Sequence, residues 1–434
     1  MKMGRRSLLG LALLGSMSRV LAAGPKGQPS LEGELAAIVN NPACQLASLS
    51  VLAIGKGKVR YARQFGQRVI PGANADANTL YRIASISKIM TTLAVMMLVE
   101  QGKLALDTDA SDYLGFPLRN PHFPERAITL RTLLTHTASL RDDAGYSFPA
   151  RQALRDILVP GAALHGNGAM WAATAPPGAF FTYCNLNWGV IGTLMEKVTG
   201  ERFDRLMKRL LLEPLGVQGG FNPSEFSPAE LSNLAILYRK RTTDTEIWNP
   251  QGPWIAQADD YRGAPPQAPA GIESYVVGSN ATPFSPTGGL RISAAGMGKI
   301  MLMLIKGGRH EGRQLLKPST LELMFTRLWT YDGKGGNGDS NGGLFNYWGL
   351  GNQQFPDQLV EGGGFSAVGH LGEAYGLMSV FVVDLANKNG MVALVGGTSS
   401  DPQACKGKYS SMARFQEQIL SVLHRRAILG TPSA

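Results

Sequence analysis

The sequence predicts an α/β fold in which an antiparallel sheet is flanked by helices and joined to an all-α part. Three observations predict it. Strand hairpins stand near both ends of the chain, at 46–65 and 377–395. Helical patterns bound the chain at 31–40 and 409–428. A long, mostly helical stretch separates the two hairpins. With 434 residues, 44% of them hydrophobic and 17% charged, the chain has the composition of a folded globular protein with room for a large core.

Taken in order, residues 1–23 read as an export signal. Lys2, Arg5 and Arg6 precede an apolar run from Leu8 to Gly15, and the small residues Ala22 and Ala23 close it. The apolar run is too short for an ordinary membrane span. The Arg5-Arg6 pair suits a twin-arginine route as well as general secretion. The formal charge is +10, and removing Lys2, Arg5, Arg6 and Arg19 from that total leaves +6. No basic run with interleaved aromatics points to nucleic acid. Cys44, Cys184 and Cys405 have no metal-ligand spacing, so neither a metal nor another cofactor is expected.

Strands at 46–54 and 59–65 are joined by a Gly55-Lys-Gly-Lys turn. From Ile86 onward Ile89, Met90, Leu93, Met96 and Met97 recur at helical spacing, which predicts a helix burying one face. Ser85 stands at its first turn with Lys88 one turn further on. An amine within reach of a hydroxyl is one way to make a weak nucleophile reactive. Such an S-x-x-K match arises roughly once or twice by chance in a chain this long, so downstream partners decide its meaning.

A helix is expected over 128–140, ending near His136. Its neighbours Asp107, Asp109 and Asp112 imitate a calcium loop but lack that loop's glycine and closing glutamate. Tyr183-Cys184-Asn185 lies immediately before an apolar helix at 188–199. A tyrosine there accepts protons if a nearby ammonium lowers its pKa, and the amide of Asn185 suits a substrate carbonyl. The Pro-rich region 239–287 reads as an irregular loop system lining a cleft, and 330–345 as a second cleft loop. Residues 294–305 form a helix, and 364–376 lead into the strand at 377.

Ser85-Ile-Ser-Lys88, Tyr183-Cys-Asn185 and Gly369-His370-Leu-Gly372 occur in that order. In these motifs the chain resembles the serine hydrolases related to class C β-lactamases, a group that includes D-Ala-D-Ala carboxypeptidases, D-aminopeptidases and β-lactamase-like esterases. The stretches Leu133–Leu140 and Thr287–Leu290 agree. The resemblance implies a β-lactamase/transpeptidase-like fold, with 31–80 and 290–434 as the α/β domain and 81–289 as a mainly helical domain. It implies that Ser85 forms an acyl-enzyme, that Lys88 and Tyr183 share the proton transfers, and that Asn185, His370 and Gly372 bind substrate. His370 is placed on an edge strand. The backbone N–H groups of Ser85 and Glu373 would form the oxyanion hole, and Cys44 would pair with Cys405 in a disulfide. Ser139 stands where the family commonly has glycine.

The expected function is that of an exported, periplasmic or secreted hydrolase acting on an ester or amide such as a D-amino-acid peptide. Its partner would be a small-molecule or peptide substrate of peptidoglycan type, with neither nucleic acid nor an integral membrane segment in the mature chain. The alternatives are a true class C-type β-lactamase and a non-catalytic penicillin-binding or sensory module. His370 in place of the usual lysine weighs against the β-lactamase, because histidine is a weaker, pH-dependent anchor for a carboxylate.

Overall fold

The computed structural model describes residues 29–430; the expected export signal lies outside them. Eight strands form one antiparallel sheet: β1 (Ser48–Gly55), β2 (Lys58–Gly66), β3 (Trp329–Thr330), β4 (Tyr347–Trp348), β5 (Gln353–Phe355), β6 (Ala367–Ala374), β7 (Leu377–Asp384) and β8 (Asn389–Val395). Their spatial order is β2-β1-β8-β7-β6-β5-β4-β3. The first hairpin turns through Lys56 and Gly57, both at positive φ, the mirror-image turn that matches strand twist.

Strands β1 and β7 are buried along their whole length, and β8 at all but Asn389. The reason is that both sheet faces are covered. Leu52, Ile54, Phe381, Val383, Val392 and Leu394 join one core cluster. The residues between them, Val51, Ala53, Val380, Val382, Ala393 and Val395, join another. The second face is packed by helices α1 (Leu31–Val39) and α5 (Arg414–Val422). The first carries α2 (Ile86–Glu100) and α4 (Ala294–Ile305), and α3 (Leu186–Thr199) packs against α2 in the same core. The period-2 alternation of the strands thus divides one sheet between two cores.

Helix α2 departs from the amphipathic expectation. Every residue from Ile86 to Leu98 is buried, the mark of a helix enclosed on all sides. Its polar groups are therefore bonded inside. Thr91 Oγ1 donates to Pro286 O at 3.0 Å, Thr92 Oγ1 donates to Lys88 O at 2.7 Å, and Ser87 Oγ accepts from Leu290 N at 3.1 Å.

Three further expectations are corrected. The helix after Thr129 spans only Leu130–Leu134, because His136 and Ser139 both take positive φ and break the right-handed path. The region 239–287 is not wholly irregular. Trp254–Ala258 pairs antiparallel with Leu237–Lys240, which pairs in parallel with Gly397–Thr398. Strand β6 is not an edge strand, since it lies between β7 and β5. Yet β5 pairs only with Ala367–Gly369, so from His370 onward β6 is bonded on its β7 side alone. A short partner leaves half of an inner strand open.

Candidate active site

Ser85 sits at the turn between the short strand Tyr81–Arg82 and α2. Ala84 before it adopts φ 46°, a left-handed conformation that costs a residue with a Cβ. The turn redirects the chain so that Ser85 lines a cavity of about 800 Å³. Ser85 is the N-cap of α2, but its side chain makes no capping hydrogen bond. The hydroxyl is not consumed in holding the helix.

Lys88 Nζ is fully enclosed and has three oxygen neighbours: Ser85 Oγ at 2.9 Å, Asn185 Oδ1 at 2.8 Å and Thr287 O at 3.1 Å. Burial pulls the amine down to about 7, against opposing pulls from Asp142 and Cys184. Its Nζ lies 4.8 Å from the centroid of the Tyr183 ring and 5.6 Å from that of Trp188.

Tyr183 behaves opposite to the sequence expectation. Burial drives the phenol above its ordinary value, and a hydrogen-bond interaction with Ser85 only partly opposes it. It is held as a neutral O–H. His136 stacks on its ring at 4.5 Å and Phe345 at 4.8 Å. His136 Nδ1 accepts from the Cys184 N–H at 2.9 Å, and desolvation keeps this imidazole neutral. The residue therefore steadies the Tyr183–Cys184 segment.

Asn185 is engaged at both ends of its amide. Oδ1 accepts from Lys88 and from Thr287 Oγ1 (2.7 Å), and Nδ2 donates to Asp142 Oδ2 at 2.8 Å. One amide proton is left for a substrate carbonyl. Asp142 and Thr287 had no assigned role in the sequence. Asp142 is one of two adjacent acids, and no spacing separated it from Asp143.

His370 is not the cationic anchor the sequence suggested. The ring is buried, with desolvation first and Lys88 second pushing it down to about 3. Its Nδ1 contacts Leu371 O at 2.6 Å, and a carbonyl can only accept, so Nδ1 carries the proton. Nε2 is buried without a partner among the described residues. His370 lines the same cavity as Ser85, but a neutral ring supplies no charge to a carboxylate.

Gly372 is a close-approach glycine. A Cβ there would collide with the Ile83 carbonyl oxygen and crowd Ile86. The missing side chain lets β6 pack against the turn carrying Ser85, and Glu373 lines the same cavity as Ser85. Among the described residues the Ser85 N–H has no hydrogen-bond acceptor within the protein.

The Cys44–Cys405 pairing is corrected: both are free thiols, as is Cys184. They sit against the same core cluster, and burial first, with Cys405 second, pushes the Cys44 thiol up to about 11. Among the described residues no His, Cys, Asp and Glu group has the makings of a metal site.

A family model for the Beta-lactamase family matches residues 30–412. The D-alanyl-D-alanine-carboxypeptidase/endopeptidase AmpH of Escherichia coli (strain K12) is 28% identical over 258 residues, 54% of this chain and 61% of that one. Protein flp of Staphylococcus aureus (strain N315) is 28% identical over 172 residues, 38% of this chain. These matches span only a third of flp and less than two thirds of AmpH. Among solved structures, the octameric penicillin-binding protein homologue from Pyrococcus abyssi superposes with TM-score 0.63 at 24% identity, over 92% of this chain and 77% of that one. D-amino acid amidase from Ochrobactrum anthropi SV3 superposes with TM-score 0.61 at 15% identity, over 91% and 98%.

Proposed function

The chain belongs to the Beta-lactamase family, a family of serine hydrolases, and from that premise we propose that it is an exported enzyme that cleaves an ester or amide, such as a D-amino-acid peptide, through an acyl-enzyme on Ser85. The observation that carries this reading is the contact of Lys88 Nζ with Ser85 Oγ at 2.9 Å inside a buried site.

Burial brings Lys88 down to about 7, so the neutral amine is accessible at neutral pH. The neutral amine takes the Ser85 proton as Oγ attacks the substrate carbonyl. The developing oxyanion faces the N–H groups of Ser85 and Glu373, and one such donor is worth about 3 kcal/mol in the transition state. Tyr183, held neutral, donates a proton to the leaving group and regains one from the lysine. Water then releases the acyl group by the same steps in reverse.

The buried, neutral His370 favours a peptidase or esterase over a β-lactamase. Positive charge for a substrate carboxylate is available instead from Arg82. It lines the cavity, and its one side-chain hydrogen bond among the described residues is Nε–H to Gly288 O at 3.1 Å. The test compares turnover of nitrocefin, a short-chain p-nitrophenyl ester and a peptide ending in D-Ala-D-Ala, alongside labelling by a fluorophosphonate. One adduct on Ser85, lost in Ser85→Ala, supports the reading. Labelling unchanged by that substitution overturns it.

A further inference from the structure

A neutral lysine has two N–H donors and one lone pair. Around Lys88 the oxygens of Asn185 Oδ1 and the Thr287 carbonyl can only accept. They take both protons of the amine and leave its lone pair facing Ser85 Oγ, the third neighbour. The base is aimed only while Asn185 turns its oxygen, and not its NH2 group, toward Lys88.

An amide has no intrinsic preference between those two orientations, so something else must choose. Thr287 Oγ1 donates to Asn185 Oδ1, but a hydroxyl can equally accept, so it follows the amide. Asp142 cannot follow. Its carboxylate accepts Asn185 Nδ2 at 2.8 Å, the Asn185 N–H at 2.9 Å, the Leu186 N–H at 2.9 Å and Cys184 Sγ at 3.3 Å. The two backbone bonds fix the carboxylate at the first turn of α3, and an ionised carboxylate only accepts. A flipped amide would put oxygen against oxygen.

We propose that Asp142 is the positioning residue that aims the catalytic base: by fixing the orientation of the Asn185 amide it directs the lone pair of Lys88 at Ser85. The role rests on the acyl-transfer reading above. Asp142 also contributes charge. The groups around Lys88 are Asp142, the Cys184 thiol, the Tyr183 phenol and the imidazoles of His136 and His370. Of these, Asp142 pulls the lysine up, against the larger effect of burial. The thiol and both imidazoles are themselves held neutral.

Charge and aim separate in two variants. Asp142→Asn removes the charge and offers Asn185 a partner that accepts either orientation. Asp142→Glu keeps the charge but displaces the carboxylate by one methylene. The readout is the pH dependence of the rate at which a fluorophosphonate labels Ser85. Expected for Asp142→Asn is a plateau about tenfold or more below wild type, with the acidic limb moved to lower pH. Expected for Asp142→Glu is a lowered plateau with the limb in place.

Wild-type plateau and limb in both variants would overturn the proposal. If Asp142→Asn does not fold, the plateau of Asp142→Glu decides. If the wild-type protein is not labelled at all, the acyl-transfer reading falls instead. The hold of Asp142 on Lys88 is then tested by titrating the 15N-labelled amine in wild type and Asp142→Asn, where an unmoved titration overturns the proposal.

Discussion

The Nζ atom of Lys88 lies 4.8 Å from the centre of the Tyr183 ring, and the same burial moves the two groups in opposite directions. Desolvation disfavours whichever form carries charge. It therefore makes the lysine a weaker acid-binder and the tyrosine a weaker acid. In the proposed reaction this suits the amine to act as base and the phenol as proton donor, the reverse of an arrangement built on tyrosinate.

The rate of acylation should rise with pH through a single ionisation near 7, because only neutral Lys88 accepts the Ser85 proton. Measuring kcat/KM for a neutral ester from pH 5 to 9 checks this. A flat profile across that range would exclude Lys88 as the base. Lys88→Arg, which stays charged throughout, should lose activity at every pH.

Tyr183→Phe keeps the stacking with His136 and Phe345 and removes only the proton donor. A loss of about 10²–10⁴-fold in kcat is expected, greater for amides than for esters with good leaving groups. Equal losses on both substrates would assign the hydroxyl a purely structural role.

Lys88 also leaves a signature in stability. Its pKa is about 7 in the folded protein and about 10.4 in an unfolded chain. Between those values the unfolded chain holds a proton that the folded one lacks, so stability rises with pH by up to about 1.4 kcal/mol per unit. The difference between wild type and Lys88→Met, read from urea midpoints at pH 7 and 9, should move in favour of wild type at pH 9. No change in that difference would mean that the amine is not held neutral.

Ser139 takes φ 66°, which explains why glycine is the commoner residue at that turn. Its hydroxyl offsets the strain by donating to Ala175 O at 2.7 Å and accepting from Asn120 Nδ2. Ser139→Ala keeps the Cβ and loses both bonds, so thermal denaturation should show it about 2 kcal/mol less stable. Ser139→Gly should cost less, because it relieves the backbone as it loses the bonds. The opposite ranking would show that backbone strain is not the governing effect.

Gly372→Ala should lower both activity and stability, the latter by about 1–3 kcal/mol, because the added methyl forces β6 away from the Ile83 carbonyl beneath Ser85. Wild-type kcat in that variant would show that the close approach does not position the oxyanion donors.

By itself the sequence determined the sheet hairpins, the enclosing helices and the motifs carrying Ser85, Lys88 and Tyr183, which the fold brings together. Those features are written in local periodicity and in short ordered motifs, and local pattern survives without a tertiary context. Which of the two cores each strand residue joined was not legible there. Tertiary structure alone decided the charge states. Nothing local to His370 signals a ring pushed down to about 3, and nothing local to Tyr183 signals a phenol held neutral. It also decided that Asp142, and not Asp143, holds Asn185, since that contact joins residues 43 positions apart. Burial and long-range contact set proton affinity and orientation, and neither is a property of a sequence window.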